Sequence, residues 1–269
     1  MLDQTLENKI LRQQLDQLRK DFATKYEERN HMLLYEEPLL NSIYLTTVGT
    51  MQFRVFTLRG DLAILEEKIR LGQIDFNRNV QPDWSQIEAT VKEQFQDYQH
   101  KVNKEANRLA AAKEVLKSDF LSSEETAQLK ETYKILVKRL HPDLNPNQSD
   151  ADKELFVSVQ AAYNHSNLTA LTEALLYLNG RTEQAPVVES SDIHQQVDHL
   201  SAMNADLQKK IDTLNDSFPF NFRELLDDER WIEKQQEQYQ LQITSLETEL
   251  TQKNEYLLLL MSWKPELLH

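Results

Sequence analysis

Four glycines and seven prolines in 269 residues constrain this chain more than any other feature. Strands are joined by tight turns, and tight turns draw on the positive φ of glycine and the fixed φ of proline. With so few of either, and with abundant Gln, Glu, Leu and Lys, the chain is expected to be all-α. Its length allows two or three modest domains, each with some core of its own. Thirty Lys plus Arg stand against 44 Asp plus Glu, a formal charge of -14. That balance lacks the global basic footprint of a nucleic-acid or anionic-membrane binder. The absence of cysteine excludes disulfides, thiolate nucleophiles and Cys-based zinc sites, and fits a reducing, cytoplasmic setting. The first residues are polar and acidic, unlike a signal peptide. The least polar window, 39–58, carries Asn41, Gln52, Arg54 and four threonines, so a buried helix is expected there rather than a membrane span.

The breakers lie between periodic segments. Leu11, Leu15, Leu18, Phe22 and Tyr26 form one face of a helix over 1–36, with Pro38 expected to interrupt it. A more apolar segment runs to about residue 75, weakened in places by Gly49, Gly60 and Gly72. Asp83 and Gln86 have the spacing of a capping box. From there Trp84, Ile87, Val91, Phe95, Tyr98, Val102, Leu109 and Leu116 mark one long helix. Ser122 with Glu125 is a second cap. Ser149 with Asp152 is a third, opening a helix expected to reach about Leu178. Residues 179–190 read as a linker.

Beyond that linker Ile193, Val197, Leu200, Asn204, Leu207, Ile211 and Leu214 alternate steps of four and three, the period of a coiled-coil seam. Asn204 sits where a buried amide selects register at a cost in stability. After a short turn containing Pro219, Tyr239, Ile243, Leu246, Leu250, Lys253, Leu257 and Leu260 repeat the spacing. So short a turn favours an antiparallel hairpin. In such a hairpin the longer second arm overhangs, so Leu257 to Met261 with Trp263 are expected to pack on a second subunit or on the N-terminal helices. A homodimer through the coiled coil is one outcome of this pattern.

The chemistry-bearing feature is a basic amphipathic helix that runs into His141, Pro142 and Asp143. Leu129, Tyr133, Leu136, Val137 and Leu140 form its apolar face. Lys130, Lys134 and Lys138 step by four on the other side, with Arg139 beside them. Between Thr126 and Pro142 four basic residues meet one acidic residue, a local +3 suited to steering onto an acidic partner. A bare lysine stripe is more often an ordinary solvated face; the adjacent tripeptide gives this one its interest. Pro142 lacks an N–H and disfavours helix in the residue before it, so the helix ends near His141 in a rigid elbow.

This stretch resembles a J-domain, the module by which Hsp40-type J-proteins engage Hsp70. The family pattern has a tyrosine eight residues before the His, an aliphatic four before that tyrosine and a leucine five before the His; here these are Tyr133, Leu129 and Leu136. Beyond the loop, Phe156, Val159, Ala162 and Tyr163 match its third helix, and Asn145-Pro146 looks like its loop. The sequence departs from the pattern at Lys117, where a glycine is usual, at Leu144 in place of a lysine, and at Ser166 in place of a leucine. Glu114 to Leu116 looks like the end of the family's first helix. The zinc-binding and Gly/Phe-rich regions of the best-known bacterial member are absent.

Periodicity and resemblance together give an elongated helical protein with an N-terminal long-helix region (1–112), a central J-domain-like module (113–180), which the resemblance implies, and the C-terminal hairpin (191–269). The resemblance also implies a co-chaperone that catalyses no chemistry itself, without cofactor or metal, and stimulates an Hsp70-type (DnaK-like) ATPase. His141, Pro142, Asp143, Asn145, Lys134, Lys138, Arg139 and Lys130 would touch that partner, while the helical arms select a client or a location. The alternative is a coiled-coil scaffold whose J-like module is only structural. No Ser or Cys elbow, phosphate loop or carboxylate dyad supports an enzyme. His194 and His199, five apart, splay around a helix rather than converge on a metal.

Overall fold

A computed structural model describes residues 2–117, 121–180 and 190–264. All regular elements among these residues are helical. In chain order they are α1 (Leu2–His31), α2 (Glu37–Tyr44), α3 (Thr50–Asn77), α4 (Trp84–Gln94), α5 (Gln96–Val115), α6 (Ser123–Leu140), α7 (Asp150–Asn164), α8 (Leu168–Asn179), α9 (Ser190–Asn215), α10 (Arg223–Leu226) and α11 (Glu229–Ser262). Among the described residues no helix is long and apolar enough to cross a membrane. Most of the linker expected at 179–190 lies outside the described residues.

The chain divides into two compact units, and the divisions are not those the sequence suggested. The first takes the described residues within Met1–Pro38 and Ser118–Asn221, the second those within Leu39–Lys117 and Phe222–His269. The expected C-terminal hairpin is overturned: α9 packs on α1 in the first unit and α11 packs on α3 in the second. The heptad seams are real, but each is filled by an N-terminal helix whose own apolar stripe is as long. A 3.5-residue period specifies a helical partner and says nothing of which one. With both seams covered within the chain, the pattern no longer calls for a dimer.

In the first unit α1, α6, α7, α8 and α9 share one core. Tyr133, Leu136, Val137 and Leu140 of α6 meet Phe156, Val159 and Tyr163 of α7, with Leu15, Phe22 and Ala23 of α1 and Ile193, Val197, Leu200 and Leu207 of α9. Tyr133 and Tyr163 stack with ring centroids 3.8 Å apart. The α6 start is the expected capping box: Ser122 Oγ accepts from Glu125 N–H, and Glu125 accepts from Ser122 N–H at 2.9 Å. α7 opens on Ser149, as the spacing indicates. It does not run on to Leu178. Ser166 adopts φ 54° and Asn167 caps α8 by accepting from Ala170 N–H, so the expected single helix becomes two. That left-handed residue stands where the family pattern has a helical leucine.

Pro38 does not break the helix before it. A π-helical turn over Met32–Glu36 precedes it, in which Glu37 N–H reaches Met32 O five residues back. The wider winding relieves the clash of a proline ring with the preceding turn.

In the second unit α11 runs in the same direction as α3. Gln52 bonds Tyr239, Glu66 pairs Lys253 and Gln73 bonds Tyr256 in rising order. The arm's far end is covered in part by an N-terminal helix, one of the two expected partners: Leu260 is 5% exposed and Trp263 packs on Phe76 at 4.6 Å, while Leu258, Leu259 and Met261 stay exposed. Gly60 and Gly72 lie inside an unbroken α3. They make room for rings, because a Cβ at Gly60 would overlap Tyr98 and one at Gly72 would press on Trp84. Asp83 caps α4, accepting from Ser85 and Gln86 N–H, which is the Asp83 half of the expected capping box. The long helix expected from Trp84 to Leu116 is interrupted at Phe95, whose backbone leaves the helical region.

Candidate functional site

The elbow is built by the end of α6. His141 takes an extended backbone (φ -66°, ψ 129°), the conformation a following proline imposes. Its carbonyl then accepts from Leu144 and Asn145 N–H, both at 3.0 Å. Asn145 Nδ2 donates to the carbonyls of Lys138 (3.1 Å) and His141 (3.3 Å), so this residue closes the helix end and fixes the loop. Leu144 is 1% exposed. The departure from a lysine at this position is therefore an apolar anchor that holds the loop to the core.

His141, Pro142, Asp143 and Asn145 are thus brought together, but they are not equally presented. Pro142 and Asp143 are exposed, and the Asp143 side chain is 49% accessible. His141 is 8% exposed. Its imidazole sits inside a cage of three rings: Phe22 at 4.9 Å, Tyr26 at 4.8 Å and Phe156 at 5.2 Å between centroids. Nδ1 accepts from Asp143 N–H at 3.2 Å, which leaves the proton of the neutral ring on Nε2. Burial pushes the imidazole below its ordinary value, and the nearby Asp143 carboxylate opposes this more weakly. Burial and the bond accepted at Nδ1 both favour a neutral ring that helps hold the elbow shut.

The cationic ridge is also turned toward the chain itself. Lys130, Lys134, Lys138 and Arg139 are all half-buried. Lys138 pairs with Asp16 of α1 at 2.7 Å, Lys134 with Glu131 at 2.6 Å, and Arg139 donates to Asn179 of α8 at 2.6 Å. Lys130 and Lys134 act on the buried Glu27 of α1 through space. The ridge expected to face solvent therefore lies beside two carboxylates of α1, Asp16 and Glu27. A cleft of about 470 Å³ adjoins the elbow, with Phe22, Tyr26 and Arg29 of α1, Met203 and Leu207 of α9, and Asp143 in its wall.

The helix on the α6–α7 pair is α1, not the segment ending at Leu116. That segment closes α5 and belongs to the second unit. The expected boundary at 113 fails for this reason: the segment's own apolar residues, Leu109 and Ala112, pack with Leu45.

Sequence reasoning missed the residues around the imidazole. Phe22 and Tyr26 belong to a stripe whose period was legible, but nothing in it signals that the stripe meets the elbow. Nor is there a signal for Glu27, whose carboxylate, 5% exposed, accepts from Tyr163 Oη at 2.8 Å. Tyr35 Oη donates to the Tyr163 carbonyl, and Asn30 Nδ2 donates to Tyr133 Oη at 3.2 Å. These bonds fasten the end of α1 and the π turn after it to α6 and α7. Among the described residues no cluster of metal-ligating side chains occurs. No protein-family model, curated protein or solved structure matches this chain.

Proposed function

We propose that the first unit recruits an Hsp70-type chaperone through the end of α6 and the His141-Pro142-Asp143 elbow, and stimulates that partner's ATP hydrolysis. Other helical surfaces would select a client, and a cytoplasmic setting belongs to the same proposal. One observation carries the reading. A proline-stopped basic helix delivers an accessible carboxylate at Asp143, from a loop clamped by Asn145 and Leu144, on a helix pair joined through Tyr133 and Tyr163. All of these but Leu144, which departs from the family pattern, are positions on which the resemblance rests. In this role the chain supplies contacts and charge, and the partner supplies the chemistry.

A second reading is favoured by a specific observation, the ring cage over His141 and the internal pairing of Lys138 and Arg139. In it the unit is a structural scaffold that docks on nothing through the elbow. Single-turnover hydrolysis by ATP-loaded Hsp70 from the same cell, with the full chain and its His141→Gln variant, separates the two. Recruitment gives stimulation that the variant loses while its circular dichroism is unchanged. No stimulation by the parent chain at low ionic strength, where a cationic ridge acts most strongly, favours the scaffold.

A further inference from the structure

The cage over His141 comes from one part of α1, and that part is fastened differently from the rest. From Glu27 the end of α1 and the π turn after it are tied to the α6–α7 pair by polar bonds, Glu27 to Tyr163, Asn30 to Tyr133 and Tyr35 to the Tyr163 carbonyl. Before Glu27 the helix reaches past the tyrosines and lies over the elbow, with Asp16 on Lys138 and with Phe22 and Tyr26 on His141. This forward part is paired with α9, and the pairing is polar at its centre. Asn204 is buried; its Nδ2 donates to the carbonyls of Leu18 and Leu200, both at 3.0 Å, and Lys25 reaches its carbonyl. Asn204 Oδ1 and Arg19 Nε find no hydrogen-bond partner among the described residues. A buried polar atom left unpaired weakens the contact that buries it. The cleft beside Phe22 and Tyr26 already brings open space to the edge of the cage, and α1 passes into a π-helical turn at Met32–Glu36, an uncommon winding.

We propose that α1 before Glu27, held by α9, is an autoinhibitory latch that covers the His141 face of the elbow and must lift before a partner can engage it. This rests on the recruitment reading given above. The latch fixes what that reading leaves open: how a site with an accessible carboxylate and a hidden imidazole becomes complete. Lifting breaks the Asp16–Lys138 pair, the ring contacts on His141 and the bond from Gln160 to Tyr26 Oη, and uncovers Leu15, Phe22 and Ala23, while the Glu27, Asn30 and Tyr35 bonds hold the end of α1 and the π turn in place.

The test uses the full chain and two substitutions that leave the cage rings untouched. Asp16→Lys replaces attraction to Lys138 by repulsion at an exposed position. Asn204→Leu removes the orphaned amide oxygen and tightens the α1–α9 seam; the two carbonyls it served retain their helical partners. Modification of His141 by diethyl pyrocarbonate is followed by peptide mass spectrometry against exposed His100, alongside Hsp70 single-turnover hydrolysis. Asp16→Lys is expected to raise His141 reactivity about three- to tenfold and Asn204→Leu to lower it by a similar factor, with hydrolysis following the same order. His141 reacting at the parent rate in both variants overturns the latch. So does stimulation already maximal in the parent and unmoved by either substitution. Reactivity that follows the variants without stimulation in any of them upholds the gate and removes the recruitment reading instead.

Discussion

Replacing Tyr163 with phenylalanine removes one hydroxyl from the core of the first unit and leaves its ring on Tyr133. That hydroxyl is the donor to Glu27, at 2.8 Å, in a place where Tyr163 is 0% and Glu27 5% exposed. A hydrogen bond to a charged group contributes about 1.5–3 kcal/mol, against about 1 kcal/mol for a neutral pair. Burial pushes the Glu27 carboxyl above its ordinary 4.5, and the Tyr163 bond opposes that shift. A raised folded value means the folded chain keeps a proton that the unfolded chain has released. Stability therefore falls as pH rises from about the ordinary value through the folded one, and the full penalty is felt above it. Losing the donor extends that fall to higher pH. The variant's deficit is thus expected to be about 2–3 kcal/mol at pH 7 and about 1 kcal/mol once Glu27 is protonated in both states. Urea titrations at pH 7 and pH 4, read by hydrogen exchange of α6 and α7 peptides, measure the first unit by itself. A deficit of the same size at both pH values would refute the reasoning, as would a pH-dependent part that survives in Glu27→Gln/Tyr163→Phe.

Two further outcomes follow in the second unit, which holds all three tryptophans, Trp84, Trp231 and Trp263, and so can be followed by their fluorescence. Gly60→Ala improves helix propensity by up to about 1 kcal/mol but forces Tyr98 off α3 and strains its bond to the Thr57 carbonyl; a net loss of about 1–2 kcal/mol is expected, and a stabilised variant would show that Tyr98 does not pack there. Leu260→Ala should cost about 2–4 kcal/mol, and an unchanged unfolding transition would mean that the end of α11 has no partner on α3.

What was legible in the sequence is local. The scarcity of glycine and proline fixed the class, and Ser122, Asp83 and Ser149 announced three helix starts because a cap is a short-range bond between neighbours. Pro142 likewise set the elbow through its effect on the residue before it. Pairings between distant helices were not legible. The α9 and α11 seams carry the same period as each other and as their true partners, so the short Pro219 turn suggested the wrong match. Pro38, Gly60 and Gly72 misled for a related reason. Each looks like a breaker alone and is accommodated by something far away or unusual, a π turn before Pro38 and aromatic rings laid against the glycines. The elbow's composition could be read from the sequence; its cover, made by Phe22 and Tyr26 from more than a hundred residues away, could not.

The central claim is that the His141 ring lies in a cage formed by Phe22, Tyr26 and Phe156. Histidine-selective NMR of the full chain addresses it directly. Nuclear Overhauser contacts from the His141 ring to the rings of Phe22 and Tyr26, with titration below the ordinary value of 6.5, are the expected result. A ring without those contacts that titrates at 6.5 would contradict the account.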